Sequence, residues 1–176
     1  GCTELGVDYL TLYAFSTENW SRPQKEVDEL MSLLIKSIEG ELPTLMKNKI
    51  RLSAIGDLKG LSTGVHKKLL GAIDITSKNN GLNLILALNY SGKWDLTQAC
   101  KFICGAVIKG TIKPEAIDEN LLSDYLSTKH IPDPALLIRT SGEMRISNFL
   151  LWQLAYTEFF FTEILWPDFR KKHLNQ

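Results

Sequence analysis

Leu82 to Leu88 reads Leu-Asn-Leu-Ile-Leu-Ala-Leu, an almost unbroken apolar run. A strand with no polar face cannot leave either side to water. The run therefore predicts a strand covered on both faces, as in parallel sheets flanked by helices. The neighbouring segments alternate to suit. Tyr9 to Phe15 (YLTLYAF) and Ile50 to Ile55 (IRLSAI, closed by Gly56-Asp57) have strand character. Between them Val27, Leu30, Met31, Leu34, Ile35 and Ile38 recur at steps of three and four, predicting an amphipathic helix over about 24–39. Ser21 and Gln24 have capping-box spacing, and Pro23 suits a first turn. Gly40 and Pro43 are expected to end or kink that helix.

Further helices are predicted over 63–79, 95–108 and 147–154, with one or two short ones over 114–126. Further strands are predicted over 135–138 and 159–161. Strand and helix alternate without repeat or linker, so the expectation is one α/β domain over 1–176, a central, mainly parallel sheet wrapped by helices.

Charge and cysteines narrow the classes. Twenty basic residues balance twenty acidic ones. A neutral chain argues against a basic nucleic-acid surface and against polybasic membrane docking. With 44% hydrophobic residues it is no disordered segment. Three cysteines make no disulfide framework, and Cys100 and Cys104 read as small core residues at helical spacing. With His66, His130 and His173 scattered, no metal cluster is spelled out, and a reducing, intracellular setting is expected. No run is long and apolar enough for a membrane span, and no signal peptide is visible.

The usual phosphate loop, dinucleotide fingerprint, zincin motif and nucleophile elbow are absent from the sequence. What stands out is where the arginines fall. There are five, and Arg22, Arg139 and Arg145 all follow predicted strand ends. Arginine offers a fixed fork for phosphate or carboxylate, and open α/β sheets collect ligands at the carboxyl ends of strands. If the two strands lie side by side, residues 14–22 and 138–145 open onto one crevice. That inventory of guanidiniums, hydroxyls and carboxylates suits a diphosphate, with Glu18, Glu143 or Glu158 available to hold Mg²⁺. Any one arginine taken alone reads more readily as a surface ion pair. Glu158, inside an aromatic run, reads equally as the partner of a buried arginine or as a metal ligand. Asn19 reads equally as a helix cap. The four tryptophans read as core or lid.

Thr11 to Pro23 (TLYAFSTENWSRP) resembles the Y-A-F-S-x-E-N-W-x-R-P motif of cis-prenyltransferases, the undecaprenyl and dehydrodolichyl diphosphate synthases. Ile138 to Phe149 (IRTSGEMRISNF) resembles their I-R-T-[SG]-G-E-x-R-[IL]-S-N-F motif, and Leu151 to Glu158 and Leu165 to Phe169 continue the likeness. Arg51 to Asp57 and Asn89 to Gly92 match weaker blocks. The last block is most similar in wording to plant and cyanobacterial members.

The resemblance implies condensation, in cis, of isopentenyl diphosphate onto an allylic diphosphate such as farnesyl or geranylgeranyl diphosphate, with Mg²⁺ as cofactor. Carried over by position, Arg139, Arg145, Ile146 and Ser147 bind isopentenyl diphosphate. Ser16, Thr17, Glu18, Trp20 and Arg22 lie around the substrates. Asn19 is the catalytic residue for the departing proton, and Glu158 is the metal ligand. A neutral amide is a poor base, so Asn19 is expected to orient that proton towards diphosphate or water. The helix over about 24–39 is expected to wall an apolar tunnel, with Ala14 and Leu88 on the sheet side. The bulk of Leu88 predicts a short or medium product.

The resemblance also implies a homodimer, no nucleic-acid partner and peripheral membrane association for product release. A plant-like member would sit in the plastid, or in the cytosol at the ER membrane surface. The family's first motif, H-x-x-x-x-M-D-G-N-G-R-W in broad form, does not occur in residues 1–176, nor does the R-x-G ending of hetero-dimeric members. The expectation is therefore a partial domain with little or no synthase activity by itself. The alternatives are a non-catalytic accessory subunit and an isoprenoid diphosphate-binding remnant.

Overall fold

The computed structural model describes residues 1–174. The chain divides into two compact units, Gly1–Tyr90 and Ser91–Gln176.

In the first unit, strand β1 (Tyr9–Ser16) leads through a 3-10 turn (Thr17–Ser21) into helix α1 (Gln24–Lys47). Strand β2 (Arg51–Ile55), helix α2 (Thr63–Thr76) and strand β3 (Asn83–Tyr90) follow. The sheet order is β1-β3-β2, and both pairings are parallel. The apolar run 82–88 therefore lies in the central strand, as its composition requires. Leu86 and Leu88 join a core with Val27, Met31, Ile38 and Leu45 of α1 and Val65, Leu69 and Ala72 of α2. Ile85 and Ala87, pointing to the other face, are buried as well. Each such Leu, Val or Ile contributes roughly 1.5–3 kcal/mol by leaving water. Within this core the Thr76 hydroxyl donates to the Ala72 carbonyl at 2.9 Å and accepts from the Leu52 N–H at 3.1 Å.

In the second unit come helix α3 (Gly92–Ile108), a 3-10 turn (Pro114–Ala116) and helix α4 (Glu119–Tyr125). Strands β4 (Leu136–Arg139) and β5 (Glu158–Phe161) form a parallel pair, and a short helix α5 (Lys171–Leu174) closes the described chain. Asp118 caps α4, its Oδ1 accepting the Leu121 N–H at 2.8 Å. The buried Gln153 donates from Nε2 to Thr128 Oγ1 at 2.7 Å, and Trp152 Nε1 donates to Ser123 Oγ at 3.0 Å.

Four expectations are corrected. Helix α1 does not stop near residue 39 but runs through Pro43 to Lys47, because Leu42 and Leu45 extend its apolar stripe into the core. The Ser21–Gln24 capping box does not form. Ser21 Oγ donates to the Glu18 carbonyl, Gln24 Nε2 to Asp28 Oδ1, and α1 starts without a side-chain cap. Residues 147–154 are not a helix. Ser147 (φ 47°), Asn148 (φ 62°) and Leu150 (φ 45°) are left-handed, which a right-handed helix forbids. Cys100 and Cys104 are exposed rather than core. The buried stripe of α3 runs through Gly92, Asp95, Ala99 and Ile103, so each cysteine sits one residue, about 100°, round from it.

Candidate active site

Two sets of candidate residues lie at strand ends, one in each unit. In the first, β1 and β3 lose regular register between Tyr13 and Ser16, and the chain turns at once into Thr17–Ser21. Asn19 Oδ1 accepts the Ser16 N–H at 2.9 Å. Asn19 thus closes the turn that carries it instead of capping α1. Thr17 Oγ1 donates to Glu18 Oε2 at 3.2 Å, and Glu18 is exposed. Arg22 is paired with Glu26 one helical turn on, the surface ion pair that a lone arginine suggests.

Trp20 is held from a residue that the motif does not include. Its Nε1 donates to Asn89 Oδ1 at 2.6 Å, and its ring meets Phe15 edge-on at 5.2 Å. Asn89 is buried, left-handed (φ 48°), and donates from Nδ2 to the Asp57 carbonyl at 2.9 Å. The ends of β2 and β3 and the Trp20 turn are thereby joined by one side chain. Asparagine tolerates this backbone better than most residues, and that is the signal Asn89-Tyr90-Ser91-Gly92 carried. Tyr13 makes a second tie at this end of the sheet. Its hydroxyl donates to the Tyr90 carbonyl at 3.1 Å. Burial, then the Glu18 carboxylate, push its pKa up to about 12 against a hydrogen bond with Ser16, so it stays neutral through the physiological range.

The second set is tighter. Arg139 ends β4, and Arg145 and Ser147 lie on the turn beyond it. Arg139 Nη1 donates to Ser147 Oγ at 3.0 Å, and Arg145 Nε donates to the same oxygen at 3.3 Å. Glu143 bridges the two guanidiniums, at 2.9 Å from Arg145 and 4.0 Å from Arg139. Two forks and one carboxylate leave a net positive charge beside a hydroxyl, a donor set that suits a multiply charged oxyanion. Ile146 lies half-buried between Arg145 and Ser147.

Glu158 stands apart. It opens β5 opposite Leu136, whereas Arg139 pairs with Phe161. The two therefore lie at opposite ends of the ladder, about 10 Å apart. Glu158 is exposed and, among the described residues, makes no ion pair, so it is not the partner of a buried arginine. No three His, Cys, Asp or Glu side chains converge on a metal position among the described residues. A free carboxylate such as Glu158 fits Mg²⁺ in one mode, as a single protein ligand completed by substrate phosphates and water.

A groove of about 430 Å³ follows α1, lined by Val27, Met31, Ile35, Leu61 and Val65 together with Trp20, Gln24 and Asp28. Leu88 does not line it. Leu88 is fully buried in the core beneath α1, while Ala14 is exposed, so the two do not share the position expected of them.

The family model described as "Putative undecaprenyl diphosphate synthase" matches residues 1–176. The chain belongs to this prenyltransferase family. It is 54% identical over 172 residues to an isoprenyl transferase of Chlorobaculum tepidum, covering 98% of this chain and 65% of that protein. It is 53% identical over 169 residues to an isoprenyl transferase of Porphyromonas gingivalis, covering 96% of this chain and 65% of that one. The chain thus spans 65% of the length of these relatives. Among solved structures it matches a lavandulyl diphosphate synthase of Lavandula x intermedia, in complex with dimethylallyl diphosphate, with TM-score 0.94 and 37% identity, covering 98% of this chain and 75% of that one. A structure described as a probable undecaprenyl diphosphate synthase from Campylobacter jejuni matches with TM-score 0.87 and 34% identity, covering 99% of this chain and 79% of that one. These likenesses bear out the α/β prenyltransferase fold and the family read from the two motifs.

Proposed function

We propose that this prenyltransferase chain serves the elongation of isoprenoid chains in cis, in which isopentenyl diphosphate is added to an allylic diphosphate such as farnesyl or geranylgeranyl diphosphate, with little or no turnover expected from residues 1–176 by themselves, where the family's first motif does not occur. The observation that carries the reading is the convergence of Arg139 and Arg145 on Ser147 Oγ. That cluster, with Ile146, takes the diphosphate of the isopentenyl unit. Ser16, Thr17, Glu18, Trp20 and Arg22 serve the allylic substrate, and the groove along α1 supports a place for its apolar tail. The family model's span over 1–176 supports treating both units as one catalytic domain.

In the reaction the allylic C–O bond breaks and diphosphate leaves with the electron pair. The isopentenyl double bond then forms the new C–C bond, and a proton departs from the adjacent carbon. Asn19 orients that proton towards diphosphate or water; its Oδ1 already accepts the Ser16 N–H, which fixes the amide plane. Mg²⁺, when held by Glu158 and substrate oxygens, would supply charge stabilisation for the leaving diphosphate. A homodimer, contact with a membrane surface for product release, and a reducing intracellular compartment (plastid, or cytosol at the ER membrane) complete the proposal.

Calorimetry with isopentenyl diphosphate and Mg²⁺ tests the binding half. Arg139→Ala and Arg145→Ala are each expected to weaken affinity roughly tenfold or more, since each removes charged hydrogen bonds. Unchanged affinity in both variants would remove the cluster from the site. Turnover is tested by incubating the chain with farnesyl diphosphate, labelled isopentenyl diphosphate and Mg²⁺. Little or no labelled polyprenyl product is expected from residues 1–176 alone, and robust product would overturn that expectation. Binding without product fits a partial domain as well as an accessory subunit or a diphosphate-binding remnant.

A further inference from the structure

Ser147 reaches both arginines from an unusual backbone. It and Asn148 are consecutive left-handed residues, with φ of 47° and 62°. Serine gains nothing intrinsic from that conformation, so something outside the turn must hold it. The tie is the first turn of α3. The Asn148 carbonyl accepts the Gly92 N–H at 2.6 Å, and Asn148 Oδ1 accepts the Lys93 N–H at 2.9 Å. Ser91 Oγ takes the next donor, the Trp94 N–H, at 3.3 Å. Three N–H groups that a helix start leaves unsatisfied are thereby met, two of them by Asn148. The approach needs a glycine. A Cβ on Gly92 would stand 2.6 Å from Leu151 Cγ and 2.9 Å from the Leu151 backbone nitrogen.

We propose that Asn148 is a positioning residue for diphosphate binding: by clamping the 147–151 turn onto the first turn of α3, it sets Ser147 Oγ at the point where Arg139 and Arg145 converge. Asn148 itself does not touch substrate. The proposal rests on reading the arginine cluster as the isopentenyl diphosphate site.

The chemistry of residue 148 makes a graded test. Asn148→Asp keeps an acceptor at the helix start and tolerates the left-handed backbone. Asn148→Gly keeps the backbone but loses the acceptor, and Asn148→Ala loses both. Two readouts are taken on each. The first is calorimetric affinity for isopentenyl diphosphate with Mg²⁺. The second is the NMR signal and hydrogen exchange of the Arg145 Nε–H, which donates to Ser147 in the free protein.

Asn148→Gly and Asn148→Ala are expected to weaken binding about tenfold, by analogy with the loss of outer partners that orient metal-binding side chains. Both should also speed Arg145 Nε–H exchange. Asn148→Asp is expected to restore both readouts. If Asn148→Ala does not fold, Asn148→Gly carries the test. A folded Gly or Ala variant in which either readout stays at the wild-type value overturns the proposal, as does an Asp variant as impaired as Ala. If wild type binds no isopentenyl diphosphate, the reading of the cluster falls and this proposal with it. The exchange readout then still reports whether Asn148 holds Ser147, so the two failures are told apart.

Discussion

Tyr13 ties the end of β1 to the end of β3 and carries a pH-dependent share of the stability. Its phenol is half-buried beside the Tyr90 carbonyl, and its pKa is raised from 10.0 to about 12. The unfolded phenol ionises near 10, whereas the folded one keeps its proton to about 12. Stability from this residue is therefore intact below pH 10 and falls as pH rises towards 12. Urea unfolding at pH values on either side of 10 should show that decline, and Tyr13→Phe should reduce it. A slope unchanged in the Phe variant would assign the effect to other groups. Much at this scale was legible. Arg139, Arg145 and Ser147 stand together as their motif implied, because they lie close in sequence on one turn. Asn89 was not legible as the anchor of Trp20, because 69 residues separate them and only the fold closes that distance.

At the scale of elements, the strands and the stripe of α1 follow their periodicity, and the departures fall at punctuation, on the face α3 buries and in residues 147–154. Gly40 and Pro43 looked like stops, yet α1 passes through both. A single interior proline costs about 3 kcal/mol, which burial of Leu45 together with Leu42 offsets. Residues 147–154 carry helical spacing, and Leu150, Gln153 and Leu154 are indeed buried. Their backbone nevertheless follows the left-handed turn tied to α3.

Two glycines separate propensity from packing. Gly40 is exposed in α1, and a Cβ there meets nothing within 4 Å. Gly40→Ala is expected to stabilise the protein by about 1 kcal/mol. Gly56 has φ +113°, and a Cβ would lie 2.1 Å from the Leu88 carbonyl oxygen. Gly56→Ala is expected to destabilise by about 3 kcal/mol or more. Denaturant midpoints of the two variants should move in opposite directions, and movement in the same direction would refute the argument.

At the scale of the whole molecule, neutrality has a measurable consequence. With 20 basic and 20 acidic residues and a sequence pI near 7.0, solubility is expected to be lowest near pH 7 and to rise on either side. Precipitation curves across that range check it, and a minimum elsewhere would show that surface pKa values depart from their usual range. The class of fold, the parallel strands and the family were set by local information: side-chain period, an apolar central run and two motifs on contiguous stretches. What the tertiary structure decided depends on residues far apart in sequence. It placed Asn89 under Trp20, seated the Asn148 turn on α3, buried Leu88 while exposing Ala14, and left Glu158 free at the far end of the ladder from Arg139. The reason is physical. Periodicity reports what one segment must bury, whereas a left-handed backbone, an orphan helix N–H or a missing Cβ is resolved only by the partner the fold brings to it.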